Sequence, residues 1–363
     1  MSQLPLGRTG ERNSILPPQS KNMNPNSPVA KDFLLGCSWR GVQHLVDVPI
    51  RTQFEMIRDS GVFDYLDRLP LPEVLDEYLR YSEEFNIPIY TCTYQYVIGR
   101  DEKLLERNMH IAAQTGVKLH NIMIYTNSAD GRVVTDDQIV DCYLRTWEIG
   151  DPIGVHPSFE MHVNMWSEAF PRVRTIAEKV QEAGVTFNFT MDYSHCIFKI
   201  ENPKEQDISG IRSEVEAGQI VLDPFESGSL CDEWLEMNIV PFVQFRPAAP
   251  NGPPNIWATN EQGNDGRGIQ YPFTKPAPGE WHSPWHAYKN ELSKEALRKV
   301  FRYHLTHAES PLRFVSTEMI NLPDYGMNAK YSLFEHNVAC ARWIRAAWDQ
   351  MKEMHTAGIP LAV

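Results

Sequence analysis

Eight times along this chain, a short run rich in β-branched and aromatic residues is followed by an amphipathic run with helical spacing. The strand-like runs cover 33–39, 62–66, 88–95, 119–126, 158–166, 186–192, 239–245 and 312–319. The helix-like runs cover 49–61, 72–85, 102–116, 136–150, 169–184, 229–238, 293–307 and 333–354. Four of these end on a glycine (Gly61, Gly116, Gly150, Gly184), the residue that most readily takes the left-handed conformation closing a helix. Strands that alternate with helices pair in parallel, because a crossover helix returns the chain to the same edge of the sheet. Eight such units predict an α/β fold of the (β/α)8 TIM-barrel type. An open doubly wound sheet is the alternative, but no GxGxxG follows the first strand to support it.

Two segments break the rhythm. Residues 1–30 are polar, rich in Pro, Asn and Ser, and aperiodic, so an N-terminal arm is expected there, extended or disordered, with the barrel over 31–363. Residues 246–290 separate the seventh strand from its helix. They are rich in Pro, Gly and Asn yet carry Trp257, Tyr271, Phe273, Trp281, Trp285 and Tyr288. A loop of this length in a compact domain is usually functional, and after a barrel strand it emerges at the catalytic face. It is expected to be a lid or substrate wall, a role that can coincide with an oligomer contact.

The formal net charge of −13 argues against nucleic acid or an anionic membrane as the main partner, since both select a basic footprint. No apolar run of 18 residues occurs, and the six cysteines show no CxxC and no regular spacing. A reduced, cytoplasmic protein is expected.

The polar residues of interest sit where strands end. "FEMHVNMW" places Glu160, His162 and Asn164 at alternating positions, which share one face of a strand. Strand six runs into "MDYSH", with Asp192 and His195. Strand seven carries Gln244 and Arg246, and strand eight ends in Glu318. Burying an unpaired carboxylate is costly, so three acids at three strand ends point to a cation at the barrel mouth. Glu160, Asp192, Gln244 and Glu318 form an all-oxygen donor set that suits a divalent metal, Mn²⁺ first, with Mg²⁺ or Co²⁺ next. His162 and His195 would face the substrate or support the ligands, and either could ligate.

This series, with Glu-x-His in strand five, Asp-x-x-His after strand six, a polar ligand in strand seven and a closing Glu in "STEM", resembles the xylose isomerase-like TIM-barrel superfamily of sugar isomerases and epimerases over about residues 32–357. Strand seven departs from the commonest pattern, with Gln244 where histidine is usual. Hydroxypyruvate isomerase and the 3-dehydroshikimate dehydratases share that glutamine. The resemblance implies proton abstraction next to a carbonyl, with Glu160 and Glu318 as ligands and bases. It implies His195 and His162 as acid or base and Arg246 as a substrate anchor. Trp39, Tyr94 and Trp166, at other strand ends, would stack on a sugar ring. The proline-rich arm and long insertion are similar to the large subunits of C-glycoside deglycosidases. These cleave 3-oxo-glycosides and pair with a small β-sandwich subunit. The implied partners are therefore a sugar or glycoside, and further copies of the chain or a small subunit. The implied outcome is elimination, with aldose–ketose isomerisation, 3-epimerisation or dehydration as alternatives. The non-enzyme alternative is a binding or scaffold subunit.

Overall fold

A computed structural model describes residues 32–42, 48–260 and 263–361. The expected arm at 1–30 lies outside the described residues. Eight strands form one parallel sheet: β1 (Leu34–Ser38), β2 (Tyr65–Asp67), β3 (Thr91–Tyr96), β4 (Leu119–Ile124), β5 (His156–Glu160), β6 (Phe189–Met191), β7 (Phe242–Phe245) and β8 (Phe314–Thr317). The order is β2-β1-β8-β7-β6-β5-β4-β3. The ends of that order meet: Leu66 N donates to Pro88 O at 3.0 Å, and Arg68 N donates to Thr91 O at 3.1 Å. The sheet therefore closes into a barrel.

Eight helices follow the strands: α1 (Ile50–Ser60), α2 (Leu75–Phe85), α3 (Glu102–Thr115), α4 (Asp136–Gly150), α5 (Pro171–Glu182), α6 (Leu230–Glu236), α7 (Glu291–Thr306) and α8 (Leu333–Thr356). Local chemistry starts several of them. Thr135 and Gln138 form a reciprocal capping box on α4, and Ser229 and Asp232 do so on α6. Gly61 and Gly116 close α1 and α3 at φ 65° and 87°, as the helix-stop pattern predicts. Gly150 does not. Its φ is −83°, and a Cβ there would lie 2.0 Å from Val155 O. It is a site of close approach, not a left-handed stop. No helix among the described residues is long and apolar enough to cross a membrane. All six cysteines are free.

Inward-facing positions follow the period of two along each strand. Tyr65, Leu119, Phe242 and Phe314, each the first residue of its strand, form one apolar cluster that closes the floor. Gly36 makes room for it, since a Cβ at Gly36 would lie 2.4 Å from the Tyr65 ring. Above the floor the lining turns polar, with Ser158 Oγ 2.8 Å from Thr190 Oγ1. Two steps above Phe242 and Phe314 are Gln244 and Ser316, and two further are Arg246 and Glu318. The barrel thus passes from an apolar floor to a charged mouth.

Two connections are longer than a minimal barrel needs. Between β6 and α6 the chain forms three short helices (Ser194–Ile197, Pro203–Ser209, Arg212–Glu216) that the sequence pattern did not predict. Between β7 and α7, residues 246–290 carry a two-stranded ribbon, Asn255–Thr259 with Asp265–Gly266. Arg267 ties this insertion down. Its guanidinium pairs with Glu205, reaches Glu168 at 3.2 Å and donates to Asn164 Oδ1 at 3.2 Å. Lys199, fully buried, pairs with Glu168 at 2.7 Å. The aromatics of the insertion mostly pack on one another. Trp281 contacts Trp257, Tyr271 and Tyr331 at 5.8, 5.8 and 6.0 Å between ring centres. Phe273 lies between Phe245 and Trp343 of α8, on the outer side of the sheet. From the insertion, Ile269 joins Val163, Phe198, Ile320 and Tyr325 in a small apolar cluster beside the charged mouth.

Candidate metal centre and active site

The strand ends bring Glu160, Asp192 and Glu318 together, with one carboxylate oxygen of each within 4.8 Å of the others. Glu160 is the last residue of β5, and Asp192 and Glu318 are the first residues beyond β6 and β8. All three are buried, at 1%, 0% and 7% exposure, so Glu318 is the acid nearest solvent. Glu160, His162 and His195 form an overlapping group with the same spacing limit.

Gln244 joins the cluster. Its Nε2 donates to Glu318 Oε1 at 3.1 Å, and its Oε1 accepts from Asn121 Nδ2 at 3.3 Å. Asn121 on β4 was missed by the sequence reading. It also donates to Glu160 Oε2 at 2.5 Å and to Thr93 Oγ1 at 3.2 Å. The signal was an amide at the inward parity of "LHNIMI", a run whose apolar character hid it.

Arg246 departs most from expectation. It is 2% exposed, and its guanidinium lies among the carboxylates. Nη1 pairs with Asp192 and donates to Ser194 Oγ at 3.0 Å. Nη2 donates to Glu318 Oε2 at 2.7 Å, and Nε donates to the Glu318 carbonyl at 2.9 Å. The group also stacks 4.3 Å from the centre of the Tyr325 ring. Part of the cation that the strand-end acids demand is therefore supplied by the chain itself.

The electrostatics follow from this placement. Burial raises the Glu160 carboxyl well above its ordinary value, and Glu318 and Asp192 add repulsion. Glu318 is pushed up to about 8, chiefly by burial, against the pull of Arg246. Asp192 goes the other way: burial would raise it, but Arg246 and His195 outweigh that and hold it ionised. Once Glu160 and Glu318 give up their protons, three carboxylates and one guanidinium leave two negative charges, which one divalent cation balances. Together with the oxygen-rich donor set, that charge fits a divalent metal held by Glu160, Asp192, Gln244 and Glu318.

His195 is fully buried, with Nε2 3.3 Å from Asp192 Oδ2. Its Nδ1 has no partner among the described residues, an orphaned buried atom aimed at nothing the protein supplies. The His162 ring lies 4.5 Å from that of His195. His162 Nδ1–H donates to Val163 O at 2.6 Å, so Nε2 accepts from the Tyr325 hydroxyl at 3.0 Å. Burial, with the neighbouring His195, lowers His162 to about 3, so it is neutral. Tyr325, in the loop after β8, was also missed; nothing in "NLPDYGMN" signals it.

The predicted alternation of Glu160, His162 and Asn164 holds for only one step. β5 ends at Glu160, and Asn164 has φ 64°, a left-handed position that turns the chain out of the ladder. Asn164 therefore meets Arg267 instead of the centre. Of the three aromatics expected to stack on a sugar, Trp39 stands at the mouth, directly after β1. Tyr94 shares the outward parity of Cys92 and Tyr96, whose partner His120 also faces the helices. Trp166 is 1% exposed and packs against Phe159, 5.8 Å between ring centres. Neither is brought to the cluster.

No family model matches the sequence, and no curated protein matches it. Solved structures match its fold. The zinc-bound IolI protein is similar at TM-score 0.50 and 14% identity, over 88% of this chain and 99% of that one. A D-allulose 3-epimerase from Methylomonas sp. in complex with D-allulose gives 0.50 and 9%, over 87% and 98%. A xylose isomerase-like TIM-barrel protein from Mycobacterium smegmatis in complex with magnesium gives 0.50 and 11%, over 87% and 98%. What the chain shares with these structures is the fold, a TIM barrel.

Proposed function

We propose that this chain is a divalent-metal-dependent enzyme that removes a proton next to the carbonyl of a sugar-derived substrate and returns it, as an isomerase or epimerase does. One observation carries this: two buried carboxyl groups, Glu160 and Glu318, flank an oxygen-rich site with Asp192, and burial raises both, Glu318 to about 8, so that a proton can be held there. A divalent ion held by Glu160, Asp192, Gln244 and Glu318, Mn²⁺ in first place, would supply Lewis-acid stabilisation of the developing negative charge. The chain's own residues do the rest. Arg246 keeps Asp192 ionised and orients Glu318 through two of its nitrogens. His195 offers the free Nδ1 to a substrate hydroxyl. Asn121 ties Glu160 and Gln244 together through one shared donor, its Nδ2. The floor of Tyr65, Leu119, Phe242 and Phe314 keeps water from entering beneath.

Elimination, as in cleavage of a 3-oxo-glycoside, is the second reading. It needs a further proton carrier for the departing group, and the Tyr325–His162 hydrogen bond favours it. The aromatic insertion lends it less than the sequence implied, because Trp257, Trp281 and Phe273 are engaged in packing. Incubation of the Mn²⁺-loaded protein with keto-sugars and 3-oxo-glycosides in deuterated water, read by mass spectrometry, separates the outcomes. Deuterium gained without loss of a group supports the first reading; release of an aglycone supports the second. No exchange with any metal tested would sink both.

A further inference from the structure

On the β8–β1–β2 side of the mouth stand two arginines that the proposed chemistry does not use. The register aligns Thr317 with Cys37, and Ser38 with Asp67. Glu318, Trp39 and Arg68 are therefore neighbours around one rim, since each lies within a residue of those pairs. The Arg68 guanidinium stacks on the Trp39 ring, 3.5 Å from its centre, and Arg40 lies 4.8 Å from the same centre. Neither arginine makes an ion pair among the described residues. Arg68 is half-buried, held beneath by Tyr78, and its Nε is fully buried without a partner. Arg40 is exposed, and Gly41 beside it packs on the backbone of Met319, the residue after Glu318.

Two guanidinium groups placed together repel, and among the described residues neither pairs with a carboxylate, although Glu318 attracts Arg40 and Asp67 attracts Arg68 from nearby. A stacked guanidinium keeps its in-plane N–H donors free, the arrangement that takes a planar or tetrahedral oxyanion. Glu318, the most exposed acid of the cluster, is also the one on this side of the mouth.

We propose that Arg40, Trp39 and Arg68 form a subsite for an anionic group, a carboxylate or phosphate, carried by the substrate at the end remote from its reacting carbonyl. The subsite makes the substrate a sugar acid or sugar phosphate; only that identity rests on the proton-transfer reading above. It also explains how an anion approaches a mouth lined by acids, because the two guanidiniums offset that field at the entrance.

The test uses malonate and inorganic phosphate as probes on the full chain, followed by tryptophan fluorescence. A saturable response is expected with at least one probe, and which one responds decides between carboxylate and phosphate. The response is expected to vanish in Trp39→Phe, which removes the reporter from among nine tryptophans. Affinity should fall about tenfold or more in Arg40→Gln and in Arg68→Gln, the loss expected for one charge-assisted contact. Arg40 is exposed, so its variant reports even where the half-buried Arg68 variant folds poorly. No saturable response to either probe, or unchanged affinity in both arginine variants, overturns the proposal. A normal anion response in a protein that exchanges no deuterium leaves the subsite standing and removes the enzymatic reading. Exchange with neutral keto-sugars without any anion response removes the subsite alone.

Discussion

Arg246→Gln tests whether the chain's own guanidinium balances the strand-end acids. The substitution removes the pairs to Asp192 and Glu318, the contact to Ser194 and the hydrogen bond to the Glu318 carbonyl. Taking one partner from a buried ion pair costs roughly 3–5 kcal/mol. Protonation sets a ceiling. At pH 7 an aspartic acid with an unfolded value near 3.9 costs about 4 kcal/mol to neutralise, and at pH 5 only about 1.5 kcal/mol. Asp192 is depressed in the folded wild type, so the stability it contributes is present above its unfolded value and is lost on acidification. Urea unfolding should therefore show Arg246→Gln about 3–5 kcal/mol less stable than wild type at pH 7, with the gap narrowing by about 1.4 kcal/mol per pH unit toward pH 5. A divalent ion enters a site with one more negative charge in the variant, so millimolar Mn²⁺ should raise the variant's Tm more than the wild type's. A variant within about 1 kcal/mol of wild type, less than the cost of one stranded buried charge, would refute the account, as would a gap that does not change with pH.

Other outcomes follow from the same geometry. Glu168 is held down to about 2 despite burial, by Lys199 and Arg267, so its contribution is present above 4.5 and lost as pH falls through 2. Burial lowers Lys199, which offsets part of the gain, and about 3 kcal/mol is the upper limit. Urea unfolding from pH 6 to pH 2 should lose this increment in wild type and not in Glu168→Gln. Gly36→Ala drives a methyl into the Tyr65 ring and should cost about 1–3 kcal/mol in chemical denaturation. Tyr65→Leu should recover part of it in a double-mutant cycle. Asn121→Leu leaves Glu160 and Gln244 without their shared donor, and calorimetric metal affinity should fall about 10- to 100-fold. Glu318→Gln should abolish most of the deuterium exchange while leaving the fold intact by circular dichroism.

The barrel was legible because strand and helix periods differ, and because a buried strand that ends on an acid is anomalous in any sequence. Glu160, Asp192 and Glu318 could be named on that ground, and Gln244 as the polar candidate of strand seven, and the structure brings the four together. What stayed hidden depended on parity or on distant pairing. Tyr94 looked mouth-facing, yet the inward residue is Thr93, one position away, and a single step reverses the face. Asn164 failed because the ladder stops four residues earlier. Arg246 carried no local sign of burial, since its partners are 54 and 72 residues away in the chain. Tyr325, Lys199 and Arg267 lie in connections whose course is set by packing, so no periodicity announces them.

The long separation of Arg246 from its partners also bears on how the protein is made. Glu160 and Asp192 leave the ribosome before Arg246 and Glu318 have been translated. A nascent chain of six strands holds two acids with no counter-charge and an open sheet edge beside them. It has no reason to settle into a half-barrel. Closure waits for the seventh and eighth strands, and the guanidinium that quiets the mouth arrives with the strand that makes closure possible.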